Sequence, residues 1–226
     1  MQATEERRVV DDIPFRFDAR SFRSEVRLDA TPELEGELER YLERALSVVQ
    51  PRALVCLAWV GDREGARIEI GGRWFESEVL VENLSGIHRV FGYVATCGPE
   101  IYELDLSDLD PFASFWHDTL KTRAVRTAAN YLCQFVKTTY DIERVSSMNP
   151  GSGDVDVWPI DQQRPLFDVL GDVEGSIGVR LTESCLMVPD KSVSGVFFPS
   201  ETAYINCQSC TRAICPDRRA PYRPRS

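Results

Sequence analysis

The chain has 226 residues and a net charge of −10, from 26 basic and 36 acidic residues, which excludes the usual basic surface of a nucleic-acid binder. With 43% hydrophobic and 27% charged residues it is long and apolar enough to bury a real core. No apolar run approaches the roughly eighteen residues of a membrane span, and the polar opening "MQATEERRVVDD" has no apolar signal core, so a cytoplasmic globular protein is expected, with no nucleic-acid or membrane partner.

In chain order, Thr31 and Pro32 supply an N-cap and a first-turn proline for a helix. Leu34, Leu38, Tyr41, Leu42, Ala45, Leu46 and Val49 repeat along it at helical spacing, and Pro51 ends it. "RALVCLAWV" then reads as a buried strand, and "GARIEIGGRWF" as a hairpin turning at Gly71 and Gly72. A short helix around "SEVLVENLSG" leads into the strand "RVFGYVATCG". Asp110 and Pro111 open the longest helix, whose apolar stripe runs from Phe112, Phe115 and Trp116 through Leu120, Ala124 and Ala128 to Leu132 and Val136.

"NPGSGDVDVWP" follows as a glycine-rich loop, and Asp161 is placed to cap the short helix "QQRPLFDVL". "GVRLTESCLMVPDKSVSGVFFPS" reads as two strands around a tight connection, and "TAYINCQ" as a closing strand. Alternation along the first of these sends Thr182 and Ser184 to one face, Glu183 and Cys185 to the other. Strands and helices alternate without a βαβ rhythm, so the fold class is α+β. We read one domain over residues 1–208, its first residues separately tethered, and a basic, Cys-containing tail over 209–226 that ends as a loose segment.

Conventional catalytic signatures are missing from this sequence. There is no Gly-x-Ser-x-Gly, Walker loop or His-Glu-x-x-His, and His88 and His117 read as structural or surface residues. Cys56, Cys97 and Cys133 lie in apolar runs and read as small buried hydrophobes. Cys207, Cys210 and Cys215 stand apart, in Cys-x-x-Cys-x-x-x-x-Cys spacing that could place thiolates on a metal.

Four stretches carry a family resemblance. "GVRLTESCLMVPDKSVSGVFFPSETAYINCQ", "VATCGPE", "KTRAVRTAANYLCQF" and "NPGSGDVDVWPIDQQRPLFDVL" resemble the activation domain of cobalamin-dependent methionine synthase, with Leu181 to Gly195 the most specific part. The resemblance runs from about Arg89 to Gln208. It implies a curved, mainly antiparallel sheet packed with a long helix and several shorter ones. It also implies S-adenosylmethionine as ligand, and reductive methylation of cob(II)alamin carried by a partner. That partner would be a methionine synthase, or related corrinoid protein, lacking its own activation domain, together with an electron donor.

Carried over residue by residue, the resemblance points to Asn149, Pro150, Gly151 and Tyr204 as ligand-site residues. Thr182 and Glu183 are supports, and Arg123 is a retained family arginine. The expectation is that backbone N–H groups of the glycine turn bind the ligand carboxylate, and that Gly151→Val blocks binding without disturbing the fold. The family's carboxylate-binding arginine falls on Ser147, with Arg144 as a possible substitute, and a family glutamate falls on Arg126. The cysteine tail is an addition to the family pattern, with Cys185 as a fourth ligand beside Cys207, Cys210 and Cys215. Such a site would hold an iron–sulfur cluster or zinc. This leaves two alternatives: a Cys-metal redox accessory delivering electrons to a corrinoid protein, or an inactive scaffold on the same fold.

Overall fold

The charged opening is part of the sheet. In the computed structural model, which describes residues 4–26, 31–153, 157–201, 204–215, 218 and 220–223, β1 (Thr4–Val10) pairs antiparallel with a later strand. Asp18 accepts from the Arg20 N–H at 3.0 Å and starts α1 (Ala19–Glu25). Thr31 accepts from the Leu34 N–H and, with Pro32 in the first turn, starts α2 (Pro32–Val48). β2 (Arg52–Glu64) is followed by the hairpin β3 (Arg67–Ile70) and β4 (Arg73–Glu76), with both turn glycines at positive φ. Ser77 caps α3 (Glu78–Asn83), and β5 (Arg89–Thr96) leads to α4 (Ala113–Thr139). At about 1.5 Å per residue α4 spans about 40 Å. The rest is β6 (Val145–Met148), α5 (Gln163–Leu170), α6 (Val173–Ile177), β7 (Arg180–Leu181), β8 (Met187–Val188) and β9 (Ser192–Pro199).

The main sheet is curled and antiparallel, in the order β4-β3-β2-β5-β9-β6. The first half of β2 also takes β1 along the edge that its second half gives to β3, with an irregularity between Val60 and Arg63 where the register shifts. Both sheet faces are buried. On β2, Leu54, Cys56 and Ala58 enter the core under α3, α5 and α6, while Ala53, Val55 and Leu57 face the second half of α4. On β5, Val90 and Val94 take the first side, Phe91, Tyr93 and Ala95 the second. The first half of α4 packs instead on α1 and α2, through Trp116, Leu120 and Ala124 against Phe22, Leu38 and Tyr41.

Several expectations need correction. The opening segment is not separately tethered, since β1 extends the sheet. Helix α4 begins after Phe112, and Phe112 and Phe115 of the expected stripe are exposed. Asp161 is not the cap of α5; it sits inside a short 3-10 turn, Ile160–Gln162, and Gln162 stands at the N-cap position. "TAYINCQ" is not a strand over its described part. Ile205 forms a single bridge to Ser147 and Asn206–Gln208 make a 3-10 turn, while Thr202 and Ala203 lie outside the described residues. The tail is folded back where it is described. The Arg218 guanidinium donates to the carbonyls of Cys207 (3.1 Å), Cys210 (3.4 Å), Ala220 (3.2 Å) and Arg212, and the Arg223 N–H donates to Gln208 at 2.7 Å.

Candidate functional site

Where β6 ends and β9 begins, the sheet opens into a cleft of about 220 Å³. Its walls are the loop from Asn149 to Ser152, Met187 of β8, and Ser192 to Ser194 of β9. A buried polar network fixes these walls. The Asn149 side-chain amide donates to the Tyr93 hydroxyl and to the Ser194 carbonyl, both at 2.7 Å. The Ser194 hydroxyl donates to Gln163 Oε1 at 2.9 Å, and Gln163 Nε2 donates to the Cys185 carbonyl at 2.9 Å. Asn149, Gln163 and Ser194 are all buried, so each bond is made away from competing water. Tyr93 stacks flat on Phe197, with ring centroids 3.9 Å apart, which holds its hydroxyl in place.

Gly195 makes this arrangement possible. A Cβ there would stand 2.2 Å from the Met148 carbonyl and 2.5 Å from the Asn149 amide nitrogen. The glycine of "SVSG" therefore lets β6 and its loop close onto β9.

The loop itself is internally satisfied. The Gly151 N–H donates to the Trp158 carbonyl at 2.8 Å and the Ser152 N–H to Asn149 at 3.2 Å. Two of the backbone donors expected to bind a carboxylate are thus occupied within the protein. Gly151 lies at φ +72, and a Cβ there would meet Ile160 at 2.9 Å, so Gly151→Val strains the loop directly. Asn206 clamps the loop from below. It is buried, and its amide donates to the carbonyls of Asn149 (3.1 Å) and Ser152 (3.3 Å).

Asn149, Pro150 and Gly151 are thus together at the cleft, and other predicted residues are elsewhere. Tyr204 adjoins this region through its backbone N–H to Ser146 Oγ (2.8 Å), but its hydroxyl donates to Ser209. Thr182 and Glu183 do not alternate on a strand, for they form the turn between β7 and β8. The Thr182 N–H donates to the Leu186 carbonyl at 2.8 Å, and Thr182 Oγ1 accepts from the Leu186 N–H at 3.1 Å. Glu183 is exposed, its carbonyl accepting from Arg164. Arg123 is tied to α1, donating to Glu25 at 2.5 Å and to Ser21 at 3.0 Å, with its guanidinium over the Phe22 ring. Arg144 donates to the Glu201 carbonyl, beside a separate cleft of about 800 Å³ at the opposite end of β9. Tyr93, Gln163, Ser194 and Asn206 are the residues that sequence reasoning missed.

The four cysteines do not converge. Among the described residues no group of three or more His, Cys, Asp or Glu is placed to hold a metal. Cys185 is buried in the β7–β8 turn, at φ +61, and Cys210 is buried against Gly153. Among the same residues, no helix is long and apolar enough to cross a membrane.

A family model described as the activation domain of vitamin B12 dependent methionine synthase matches residues 146–220. Over this segment the chain resembles the methionine synthase activation domain, as its sequence suggested. The crystal structure of the MetH reactivation domain bound to AdoHcy matches 90% of this chain and 82% of its own, with a TM-score of 0.57 and 18% identity. At that identity the likeness shows the fold, and the α+β architecture with its curled sheet and long helix is that of the reactivation domain. A search of curated proteins finds no match. The segment that the family model matches contains the walls of the cleft, since Asn149 to Ser152, Met187 and Ser192 to Ser194 all fall inside 146–220.

Proposed function

We propose that this protein binds S-adenosylmethionine at the cleft between the Asn149–Ser152 loop and the start of β9. In this reading it serves the reactivation of a cobalamin-dependent methionine synthase, or of a related corrinoid methyltransferase lacking this domain. The observation that carries the reading is the coincidence of the cleft with the family-matched segment. The fold it shares with a reactivation domain bound to AdoHcy supports it further.

The chemistry suits the residues present. Methyl transfer from a sulfonium to a cobalt on the partner needs no acid or base from this chain; its part is to hold the donor in line while an external donor supplies the electron. A cleft of about 220 Å³ is smaller than the roughly 300–1,000 Å³ of pockets that enclose drug-sized ligands. It therefore takes one end of the ligand and leaves the methyl group open to a docked partner. Among the described residues the cleft lining holds serine hydroxyls and no arginine or lysine, so carboxylate recognition here rests on neutral donors.

Calorimetric titration of the full chain with S-adenosylmethionine and S-adenosylhomocysteine tests this. Saturable binding of either is expected. Met187→Trp, which fills the cleft from its half-buried rim, should weaken binding at least about tenfold, or by about 1.4 kcal/mol, at an unchanged melting temperature. Heat-free titrations, with and without a corrinoid domain, would remove the ligand from this site.

A further inference from the structure

We infer that Cys207 and Cys210 form a thiol–disulfide site whose oxidation state controls the Asn149–Gly153 loop. The two residues lie on one turn. The Cys210 N–H points to the Cys207 carbonyl at 3.4 Å, a residue i to i+3 bond. Turns of this kind bring their end Cα atoms within about 7 Å, and disulfides span Cα separations of about 4.4–6.8 Å. Arg218 holds the turn in shape by donating to both cysteine carbonyls, and the Tyr204 hydroxyl ties its Ser209.

The turn is also the clamp on the candidate site. Asn206, immediately before it, holds the carbonyls of Asn149 and Ser152. Cys210, at its end, packs where Gly153 has no side chain: a Cβ on Gly153 would lie 3.3 Å from Cys210 Cβ and 3.5 Å from its Sγ. To bond Cys207, the Cys210 sulfur must leave that contact. The bond thus exchanges loop packing for a cross-link within the turn.

The chemistry closes with one co-reactant, a low-molecular-weight disulfide. Cys207, partly exposed, attacks it as thiolate, forming a mixed disulfide and releasing one small thiolate. Cys210 then attacks the Cys207 sulfur, forming the internal disulfide and releasing the second. The two cysteine protons go to the two released thiolates, so the cysteines lose two electrons and the small disulfide gains them. Three other thiols are poorer competitors: burial pushes Cys97 up to about 11 and raises Cys56 and Cys133.

The test uses the full chain, equilibrated with reduced or oxidised glutathione. Oxidation should remove two hydrogens from the intact mass, protect two thiols from alkylation, and yield a Cys207–Cys210 cross-linked peptide. Hydrogen exchange across 149–153 should rise roughly tenfold, and Cys207→Ser, which leaves buried Cys210 in place, should abolish the whole response. A disulfide mapped to Cys215, no disulfide, or a Cys207–Cys210 disulfide with unchanged exchange at 149–153 would each overturn the proposal. Only one arm rests on the ligand reading above: S-adenosylhomocysteine should bind the oxidised protein at least roughly tenfold more weakly. If the reduced protein binds none, the ligand reading fails while mass and exchange still decide the switch.

Discussion

Gly195 and Gly36 show how differently one residue type is used in this chain. At Gly195 the space of a side chain is taken by the Met148 carbonyl and the Asn149 amide, whereas a Cβ on Gly36 meets nothing within 4 Å. Gly195→Ala must push β6 from β9, and overpacking of this kind costs about 1–3 kcal/mol, with the broken Asn149 bonds added. Gly36→Ala, in the middle of α2, should instead stabilise by about 0.5–1 kcal/mol, because alanine loses less backbone freedom in a helix. Urea denaturation of the two variants checks both signs in one experiment. A Gly195→Ala midpoint equal to wild type would mean that β6 and β9 are not held as closely as the structure has them. Gly151 belongs with Gly195. Its positive φ and the nearby Ile160 make Gly151→Val a folding variant as well as a site variant, so lost binding there needs a melting curve beside it.

Among the elements, α5 is joined to the site by one side chain. Gln163 accepts from Ser194 of β9 and donates to the Cys185 carbonyl of the β7–β8 turn, so it couples three elements at once. Gln163→Ala leaves two buried partners unsatisfied and should cost about 2–4 kcal/mol, while Ser194→Ala should cost about 1–2 kcal/mol. The double variant should cost less than the sum, and additivity within about 0.3 kcal/mol would mean that the bond contributes nothing of its own.

None of this was legible locally, because Tyr93, Asn149, Gln163 and Ser194 meet only when the sheet closes. What could be read was whatever repeats along the chain. The Thr31 cap, the two-sided apolar runs of β2 and β5, and the α2 stripe apart from Leu46, which is exposed, are statements about neighbouring residues, and they hold. β1 was missed because over Glu6–Val10 this edge strand exposes Arg7, Arg8 and Val9 and buries Val10. Phe112 and Phe115 misled for the opposite reason: periodicity cannot tell an apolar residue that the fold covers from one that it leaves exposed. The Thr182–Cys185 turn was taken for strand because its signal is the left-handed backbone of Cys185, which no residue preference announces.

Over the whole molecule, stability against pH is shaped by one buried histidine and a set of surface carboxylates, in separate windows. His117 sits between α4 and α2, with the Tyr41 hydroxyl 3.4 Å from its Nδ1 and Lys121 and Asp118 on its own helix. Burial first, and Lys121 second, lower it to about 4 from the 6.5 of a free imidazole. Well above pH 6.5 neither the folded nor the unfolded chain binds this proton, so there His117 contributes no slope. As pH falls from 6.5 to about 4, the unfolded chain takes up the proton and the folded one does not, so stability falls, by up to about 3 kcal/mol in all. The carboxylates act lower. Hydrogen bonding and charge from Arg44 hold Asp108 at about 2, so its contribution is present above 3.8 and is lost as pH falls through that range. Urea midpoints measured from pH 7 to 4.5 should therefore decline for wild type and stay nearly level for His117→Gln, which keeps a polar partner for Tyr41. Parallel declines would assign the slope to other groups and leave His117 protonatable in the folded state.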